Sequence, residues 1–223
     1  MKTSATPNGR IILGYLGLAH SDYLVARHLL RSGFLEHGAM MAATAVEKHL
    51  KAVIGVHGLS RSEHLGSSLY NLVRNCQPAL YNALDFDFIK FLAKAYKLRY
   101  ATVSAPGLAI VINQYRTLFA LDATIAKVDI GFKIIENGKT LPTPFQQCVV
   151  SNNLQLLDDN IALRSELLRE LTQRSNKVLE LKIENDYSGL RVEYETEGVN
   201  MSGLFTKIPD LSTKKTEFQL TRG

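Results

Sequence analysis

Residues 32–55, SGFLEHGAMMAATAVEKHLKAVIG, decide the fold that this sequence predicts. Apolar residues recur in this stretch at steps of three and four, which is the spacing of one face of an α-helix. The residues on that face are Ala39, Ala42, Val46, Leu50 and Val53. Small side chains in its first half allow a second helix to approach closely, so we expect a central core helix. The opposite face, which we expect in solvent, carries Thr44, Glu47, Lys48 and Lys51.

The composition of the chain is that of an ordinary globular protein, with 223 residues, 46% hydrophobic and 21% charged. A net charge of +5 mildly favours an acidic partner such as nucleic acid or a nucleotide. The two cysteines, Cys76 and Cys148, do not have the spacing of metal ligands, which favours reduced thiols and a cytoplasmic protein.

The N-terminal segment, residues 1–19, contains the apolar run IILGYLGLA at positions 11–19. Lys2 and Arg10 precede this run, which is the layout of a secretory signal peptide, but the first ten residues are polar and long for such a signal. The run is also shorter than the ~20 residues that span a bilayer. We therefore expect no membrane association.

Residues 20–130 predict an antiparallel bundle of about five helices with short connections. The first is expected to begin at Ser21 or Asp22 and to end at Arg31, where Ser32-Gly33 turns the chain back into the central helix. A third helix is expected before Pro78, and a fourth is expected to begin at Asp85. Ser104 and Pro106 suit the start of a fifth, with Leu108, Val111 and Ile112 on its apolar face.

Residues 131–223 predict an extension of one long helix and a short β element. Asn137-Gly138 is either the turn of a β-hairpin or the left-handed cap of a helix, and periodicity does not choose between them. Leucines at an approximate seven-residue repeat predict a long helix over residues 153–181. The alternating residues 190–195 predict a strand.

The usual signatures of metal, cofactor and nucleophile sites are missing from the sequence. All six histidines lie in the first 64 residues, but none is three or four residues from another, so we expect surface or helix-end histidines and no metal. The sequence has no Gly-rich phosphate loop after a strand and no glycine-flanked serine. We therefore expect no cofactor.

Four segments in order resemble the landmarks of the HEPN family, the higher-eukaryote and prokaryote nucleotide-binding domain. They are ARHLL at 26–30, GFLEHGAMMAATAVEKHLKAV at 33–53, EHL at 63–65 and LRY at 98–100. The resemblance covers about residues 20–128, and its most specific piece is AVEKHLKA at 45–52. It implies a small helical bundle, usually a homodimer, that binds nucleotide or RNA.

Many members of that family are metal-independent ribonucleases of toxin–antitoxin or defence systems, so the resemblance also implies an antitoxin-like protein partner. Their nuclease motif is an arginine followed, four to six residues later, by a histidine in a late helix. The candidate arginine is Arg99, but no histidine follows it. Arg31 and His37 have the nuclease spacing, although they lie at the first turn of the bundle.

Three functions remain open from the sequence. The leading hypothesis is a non-catalytic module in which Arg99 clamps a phosphate, Tyr100 stacks on a base and Lys97 adds charge. Alternatively, Tyr100 closes the end of the bundle and Arg99 pairs with Glu47 or another acid. Lys48 and Lys51, with His49, are either part of this binding surface or a solvated helix face. The second hypothesis is a ribonuclease that uses Arg31 and His37, and the third is an interaction protein that uses the helix at 153–181.

Overall fold

The computed structural model describes residues 2–3, 7–60, 62, 64–100, 107–136, 139–185, 188–200 and 218–220. The protein is mainly helical with a small antiparallel sheet, which confirms the predicted class. The helices are α1 Pro7–Arg31, α2 Leu35–Val56, α3 Ser67–Cys76, α4 Pro78–Ala83, α5 Phe86–Tyr96, α6 Gln114–Asp129, α7 Pro144–Val150, α8 Leu154–Leu157 and α9 Leu168–Gln173. Two 3₁₀ turns span Lys97–Tyr100 and Ser165–Leu167. The strands are β1 Lys2–Thr3, β2 Ala109–Asn113, β3 Lys133–Glu136, β4 Lys139–Leu141, β5 Ser175–Asn185, β6 Ser188–Glu197 and β7 Phe218–Leu220.

The larger sheet is antiparallel, with strand order β2-β5-β6-β7. Its register sets Ile112 opposite Leu179 and Val178 opposite Tyr194. Strand β2 comes from the predicted bundle, whereas β5 and β6 come from the predicted extension. One hydrophobic core, which includes both Leu50 and Leu179, therefore continues across residue 130. A smaller sheet has the order β1-β3-β4.

Helices α1 and α2 form the predicted antiparallel hairpin. The five residues of the predicted apolar face of α2 are fully buried, which confirms that prediction. A methyl group at Gly38 would lie 2.7 Å from Leu30 Cγ, so the two helices approach each other as closely as glycine allows. Helix α1 begins at Pro7, well before the predicted start at Ser21 or Asp22, because Ile12 and Leu16 continue its buried face.

The predicted start of the fifth helix is wrong. Val111 and Ile112 lie in strand β2, and α6 begins only at Gln114. Asn113 caps this helix, because its side chain accepts a hydrogen bond from Arg116 N. The run of β-branched residues at 110–112 suits a strand better than a helix, and burial alternates along β2. Ser104 and Pro106 lie outside the described residues. Asp85, by contrast, caps α5 as predicted.

The predicted long helix over residues 153–181 is also wrong. That stretch contains the short helices α8 and α9, one 3₁₀ turn and the first half of β5. Asp159 adopts a left-handed backbone conformation that interrupts any continuous helix, and Leu154 of the apparent repeat is 68% exposed. The interaction hypothesis that depended on this helix therefore loses its basis.

The β predictions fare better. Strands β3 and β4 pair antiparallel on either side of Asn137-Gly138, which favours the hairpin alternative, although the turn itself lies outside the described residues. Strand β6 contains the predicted strand at 190–195 and extends it at both ends. Strand β6 pairs with β5 over most of the length of β6, and this pairing explains why β6 is longer than the alternation alone predicted.

A buried polar network joins α1 to α6 and to the segment after α8. The guanidinium of Arg27, which is fully buried, pairs with the Asp122 carboxylate and donates to the carbonyl oxygens of Gln155 and Asp158. Tyr23 donates to Asp122 over 2.7 Å, and Asn160 donates to the Tyr23 hydroxyl. Burial raises the pKa of the Asp122 carboxyl, and the nearby guanidinium opposes that rise. The positive charge of Arg27 and the negative charge of Asp122 therefore compensate each other in the protein interior.

We expect Arg27→Met to lower the free energy of unfolding by about 3–5 kcal/mol, because it leaves the Asp122 carboxylate buried without its counter-charge. Urea unfolding monitored by circular dichroism measures the difference. Arg169→Met, a change at an exposed arginine of α9, is the matched control and should shift the free energy by less than about 0.5 kcal/mol. A loss below about 1 kcal/mol for Arg27→Met would contradict the importance of this network.

Candidate functional site

Arg99 is an exposed arginine in the 3₁₀ turn that follows α5. Its Nη2 donates a hydrogen bond of 2.8 Å to Thr44 Oγ1 on α2, and its guanidinium carbon lies 4.7 Å from the centroid of the Tyr96 ring. Among the described residues it forms no ion pair, so the alternative in which it pairs with Glu47 is wrong. A neutral hydroxyl and an aromatic face orient the guanidinium, and its charge meets no carboxylate in the part of the chain that the structure describes.

His64 lies in the segment EHL at 63–65, one of the landmarks of the family resemblance, but the sequence did not predict it as a site residue. Its Nε2 lies 3.1 Å from the Tyr96 hydroxyl, and the two rings are 4.5 Å apart between centroids. Its Nδ1 lies 3.5 Å from Glu47 Oε2. Tyr96 therefore contacts both His64 and Arg99 through its ring, and it brings together a histidine and an arginine that are 35 positions apart in the chain.

Glu47 anchors this cluster to α2. It is only 7% exposed, although the sequence predicted it on a solvated face. Its carboxylate accepts hydrogen bonds from Leu65 N at 3.0 Å and from Lys51 Nζ at 2.8 Å, in addition to its contact with His64. The carboxylate thus holds the segment at residues 64–65 against α2, and this contact is what fixes the position of the His64 imidazole.

Two of the predicted binding lysines already have carboxylate partners. Lys48 Nζ lies 2.6 Å from Asp22 Oδ2, and Lys51 pairs with Glu47. Their charges are therefore largely neutralised, and the lysines form a half-buried face that links α2 to its neighbours. Lys97 is exposed and lies in the same 3₁₀ turn as Arg99, and its role in binding stays a prediction. The side chain of Tyr100 lies outside the described residues, so both predictions for it stay untested.

The residues around Tyr96 form the candidate functional site: Thr44, Glu47, His64, Tyr96 and Arg99. They combine a fixed guanidinium, an exposed imidazole that is oriented by a carboxylate, and a phenol. Such a set can donate several hydrogen bonds to an anionic oxygen. One sequence signal pointed toward the site, since Thr44, Glu47 and Lys51 share one face of α2. The sequence did not predict that His64 and Tyr96 would join them.

Arg31 and His37, the alternative nuclease pair, have different surroundings. Arg31 Nε lies 2.9 Å from Asp159 Oδ2, and its Nη2 lies 3.5 Å from Asp158 Oδ2. His37 is exposed at the rim of a cleft of about 530 Å³, whose lining also includes Lys177 and Arg191. Because the Arg31 guanidinium is occupied by two carboxylates, it is a poor phosphate clamp.

The histidines are less uniformly exposed than the sequence predicted. His20 and His49 are buried, whereas His28, His37, His57 and His64 are exposed. His49 therefore does not belong to the face that was expected to carry Lys48 and Lys51. No group of three or more histidine, cysteine or acidic side chains in the described residues is arranged to hold a metal ion.

Comparisons with protein-family models, with curated proteins and with solved structures find no match to this chain. Within the described residues, no helix has the length and the apolar character needed to cross a membrane.

We expect the buried His49 to make the protein sensitive to acid. Burial lowers the pKa of its imidazole to about 4, from 6.5 in the unfolded chain. Below pH 6.5 the unfolded chain binds a proton at His49 that the folded protein does not bind. The free energy of unfolding is therefore unaffected by the titration of His49 above pH 6.5, and it falls as the pH drops from 6.5 toward 4. Between pH 7 and pH 4, the wild type should lose about 3 kcal/mol more unfolding free energy than His49→Gln.

Urea unfolding of both proteins at several pH values measures this difference. Taking the difference between them cancels the titration of His20, whose pKa is also lowered by burial, and of the acidic residues. Parallel pH profiles for the two proteins would contradict the prediction.

Proposed function

We propose that this protein is a non-catalytic binding module of the HEPN type, whose ligand carries phosphate and is a nucleotide or RNA. The observation that carries the proposal is the environment of Arg99. Its guanidinium is exposed and is oriented by Thr44 and Tyr96, and it meets no carboxylate among the described residues. A pre-oriented guanidinium with an uncompensated charge is suited to bind a phosphate through two parallel hydrogen bonds.

Five other arginines differ from Arg99 in having a carboxylate partner. Arg27, Arg31, Arg164, Arg174 and Arg191 each pair with at least one carboxylate. An incoming phosphate would have to displace that carboxylate, whereas at Arg99 it would displace only water and at most one neutral hydroxyl. Arg99 therefore binds an anion at a lower cost than these five arginines. Arg74, whose guanidinium lies over the Tyr81 ring, also has no carboxylate partner among the described residues, but no hydroxyl there orients it as Thr44 orients Arg99.

The surroundings of Arg99 favour the same ligand class. Lys94 and Lys97 precede it in the chain and add positive charge at the same end of α5, and the whole chain carries a net charge of +5. The exposed His64 imidazole adds a further hydrogen-bond donor or acceptor. The resemblance to the HEPN family independently implies nucleotide or RNA binding. A homodimer and an antitoxin-like protein partner complete the proposal as consequences of that resemblance. A cytoplasmic location is proposed from the spacing of the two cysteines, which favours reduced thiols.

We expect Arg99→Ala to weaken the binding of a short RNA by about 10- to 100-fold, because a hydrogen bond to a charged group contributes about 1.5–3 kcal/mol. Fluorescence anisotropy with a labelled oligoribonucleotide at fixed ionic strength measures the affinity. Arg169→Ala removes the same charge from an exposed position on α9 and should change the affinity by less than twofold. Equal losses in the two variants would indicate attraction to net charge alone and would contradict a specific site.

A metal-independent ribonuclease is the second candidate, and the contacts of His64 favour it. Tyr96 touches both His64 and Arg99, so an imidazole and a guanidinium border the same aromatic ring. In such a reaction the imidazole would accept a proton from the attacking 2′-hydroxyl while Arg99 neutralises charge on the phosphate. Glu47 would hold the imidazole in position. In this candidate, His64 takes the role that the sequence assigned to His37.

If the protein cleaves RNA, we expect cleavage to persist in EDTA and to fall by about 100-fold or more in His64→Ala, since a general base contributes about 10²–10⁴-fold. Gel analysis of a labelled RNA measures the rate. His37→Ala is the matched control, because it removes an exposed histidine outside the candidate site, and it should leave the rate unchanged. Absence of cleavage by the wild type would favour the binding module, while loss of cleavage only in His37→Ala would restore the pair of Arg31 and His37.

A further inference from the structure

A second cavity of about 240 Å³ lies between the first turns of α1 and the end of α2. Its walls are mostly apolar, and they are formed by Ile11, Ile12, Tyr15, Lys51, Ile54 and Leu59, with Gly55, Gly58 and Ser60 completing the lining. Two of these apolar side chains remain open to solvent at its rim, since Ile11 is 60% exposed and Leu59 is 40% exposed. The cavity is thus an apolar surface that a ligand could cover.

The cavity and the candidate functional site lie along the same face of α2. Thr44, Glu47, Lys51 and Ile54 follow one another at steps of three and four, so they share that face. Thr44 contacts Arg99, Glu47 contacts His64, and both Lys51 and Ile54 line the cavity. Lys51 contacts both the candidate functional site and the cavity, because its ammonium pairs with Glu47 while its side chain lines the cavity.

The distance between the candidate functional site and the cavity sets the minimum length of a ligand that contacts both. Thr44 and Ile54 are ten residues apart, which corresponds to about 15 Å along a helix that rises 1.5 Å per residue. A stacked nucleic-acid strand advances about 3.4 Å per nucleotide, so about four nucleotides cover that distance. A single nucleotide is too short to contact Arg99 and the cavity together.

The size and chemistry of the cavity suit one flat ring. Its volume is below the ~300–1,000 Å³ that is typical of sites for a whole drug-sized ligand. Tyr15 supplies a half-buried aromatic ring, and the isoleucine and leucine side chains supply apolar contact. Aromatic side chains beside a positively charged track are how proteins commonly bind single strands, because every base has a face that can stack.

We infer that this cavity receives one base of a single-stranded nucleic acid whose backbone phosphate is bound by Arg99 about four nucleotides away. The inference rests on the proposed function, and it extends that function from phosphate binding to recognition of a strand. The base stacks on Tyr15 and is enclosed by Ile11 and Leu59. From the cavity, the nucleic-acid strand follows the α2 face past His64 to Arg99. Lys51 lies between the bound base and the bound phosphate.

The test uses the full chain and oligoadenylates of one to six nucleotides, as RNA and as DNA, with anisotropy or calorimetry as the readout. We expect the affinity to rise with length up to about four or five nucleotides and then to level off. Replacing each base in turn by an abasic position should reveal one position at which the affinity falls by about 5- to 100-fold, which is the range of one stacked base. Tyr15→Leu should produce the same loss with the intact oligonucleotide and no further loss with the abasic one.

A matched pair of exposed positions on α1 tests the location of the cavity without disturbing the core. Ile11→Asp changes a rim residue, whereas Leu18→Asp changes a residue of equal exposure, 58%, that does not line the cavity. Both add one negative charge, so any general electrostatic repulsion is the same. We expect Ile11→Asp to weaken binding at least fivefold more than Leu18→Asp.

The outcomes separate this inference from the proposed function. If no oligonucleotide binds, or if binding is unaffected by Arg99→Ala, the proposed function itself is wrong. If binding depends on Arg99 but a mononucleotide binds as tightly as the tetramer, or Ile11→Asp and Leu18→Asp behave alike, the proposed function survives and the base pocket is overturned. If binding depends on Arg99, on the length of the oligonucleotide and on Ile11, the results support both the proposed function and the base pocket. The comparison of RNA with DNA shows whether the 2′-hydroxyl contributes to binding.

Discussion

The buried pairing of Arg27 with Asp122 is the constraint on which the arrangement of the helices depends. A guanidinium and a carboxylate in the protein interior cost several kcal/mol of hydration each, and only close pairing and saturated hydrogen bonds offset that cost. Arg27 therefore holds α1 at a fixed position relative to α6, and its two bonds to main-chain oxygens fix the segment at residues 155–158 as well. Helix α2, which packs on α1, α5 and α6, is held in place by the same arrangement.

The candidate functional site uses that fixed helix as its base. Thr44 and Glu47 project from α2, Tyr96 and Arg99 come from the end of α5 and the turn after it, and His64 comes from the connection between α2 and α3. Three of these groups are oriented by a contact with another: a hydroxyl for Arg99, a carboxylate for His64 and the imidazole for the Tyr96 phenol. Groups that are positioned before a ligand arrives lose little conformational freedom on binding, so their interactions contribute more fully to affinity.

The same geometry is the reason that we propose binding ahead of cleavage. Arg99 is ready to contact an anion, because no carboxylate among the described residues competes for it. The Nε2 of His64, in contrast, already contacts the Tyr96 hydroxyl, and this contact must open before the imidazole can accept a proton from a substrate. A ligand that displaced the phenol would convert the binding arrangement into a catalytic one. The two candidate functions therefore differ in a single hydrogen bond, while both need the guanidinium.

The sequence by itself determined the features that depend on local periodicity and on capping: the apolar face of α2, the antiparallel turn after Arg31, the cap at Asp85 and the strand around residues 190–195. It also pointed to Arg99, because that residue lies in the segment LRY at 98–100 that carries part of the resemblance. Only the tertiary structure decided which side chains neutralise one another. It paired Lys48 with Asp22, buried Glu47 and brought His64 to Tyr96, because such contacts depend on how separate segments pack. For the same reason the apolar residues at 108–112 and 175–183 became neighbouring strands, since pairing between distant segments overrode the helical spacing that each shows alone.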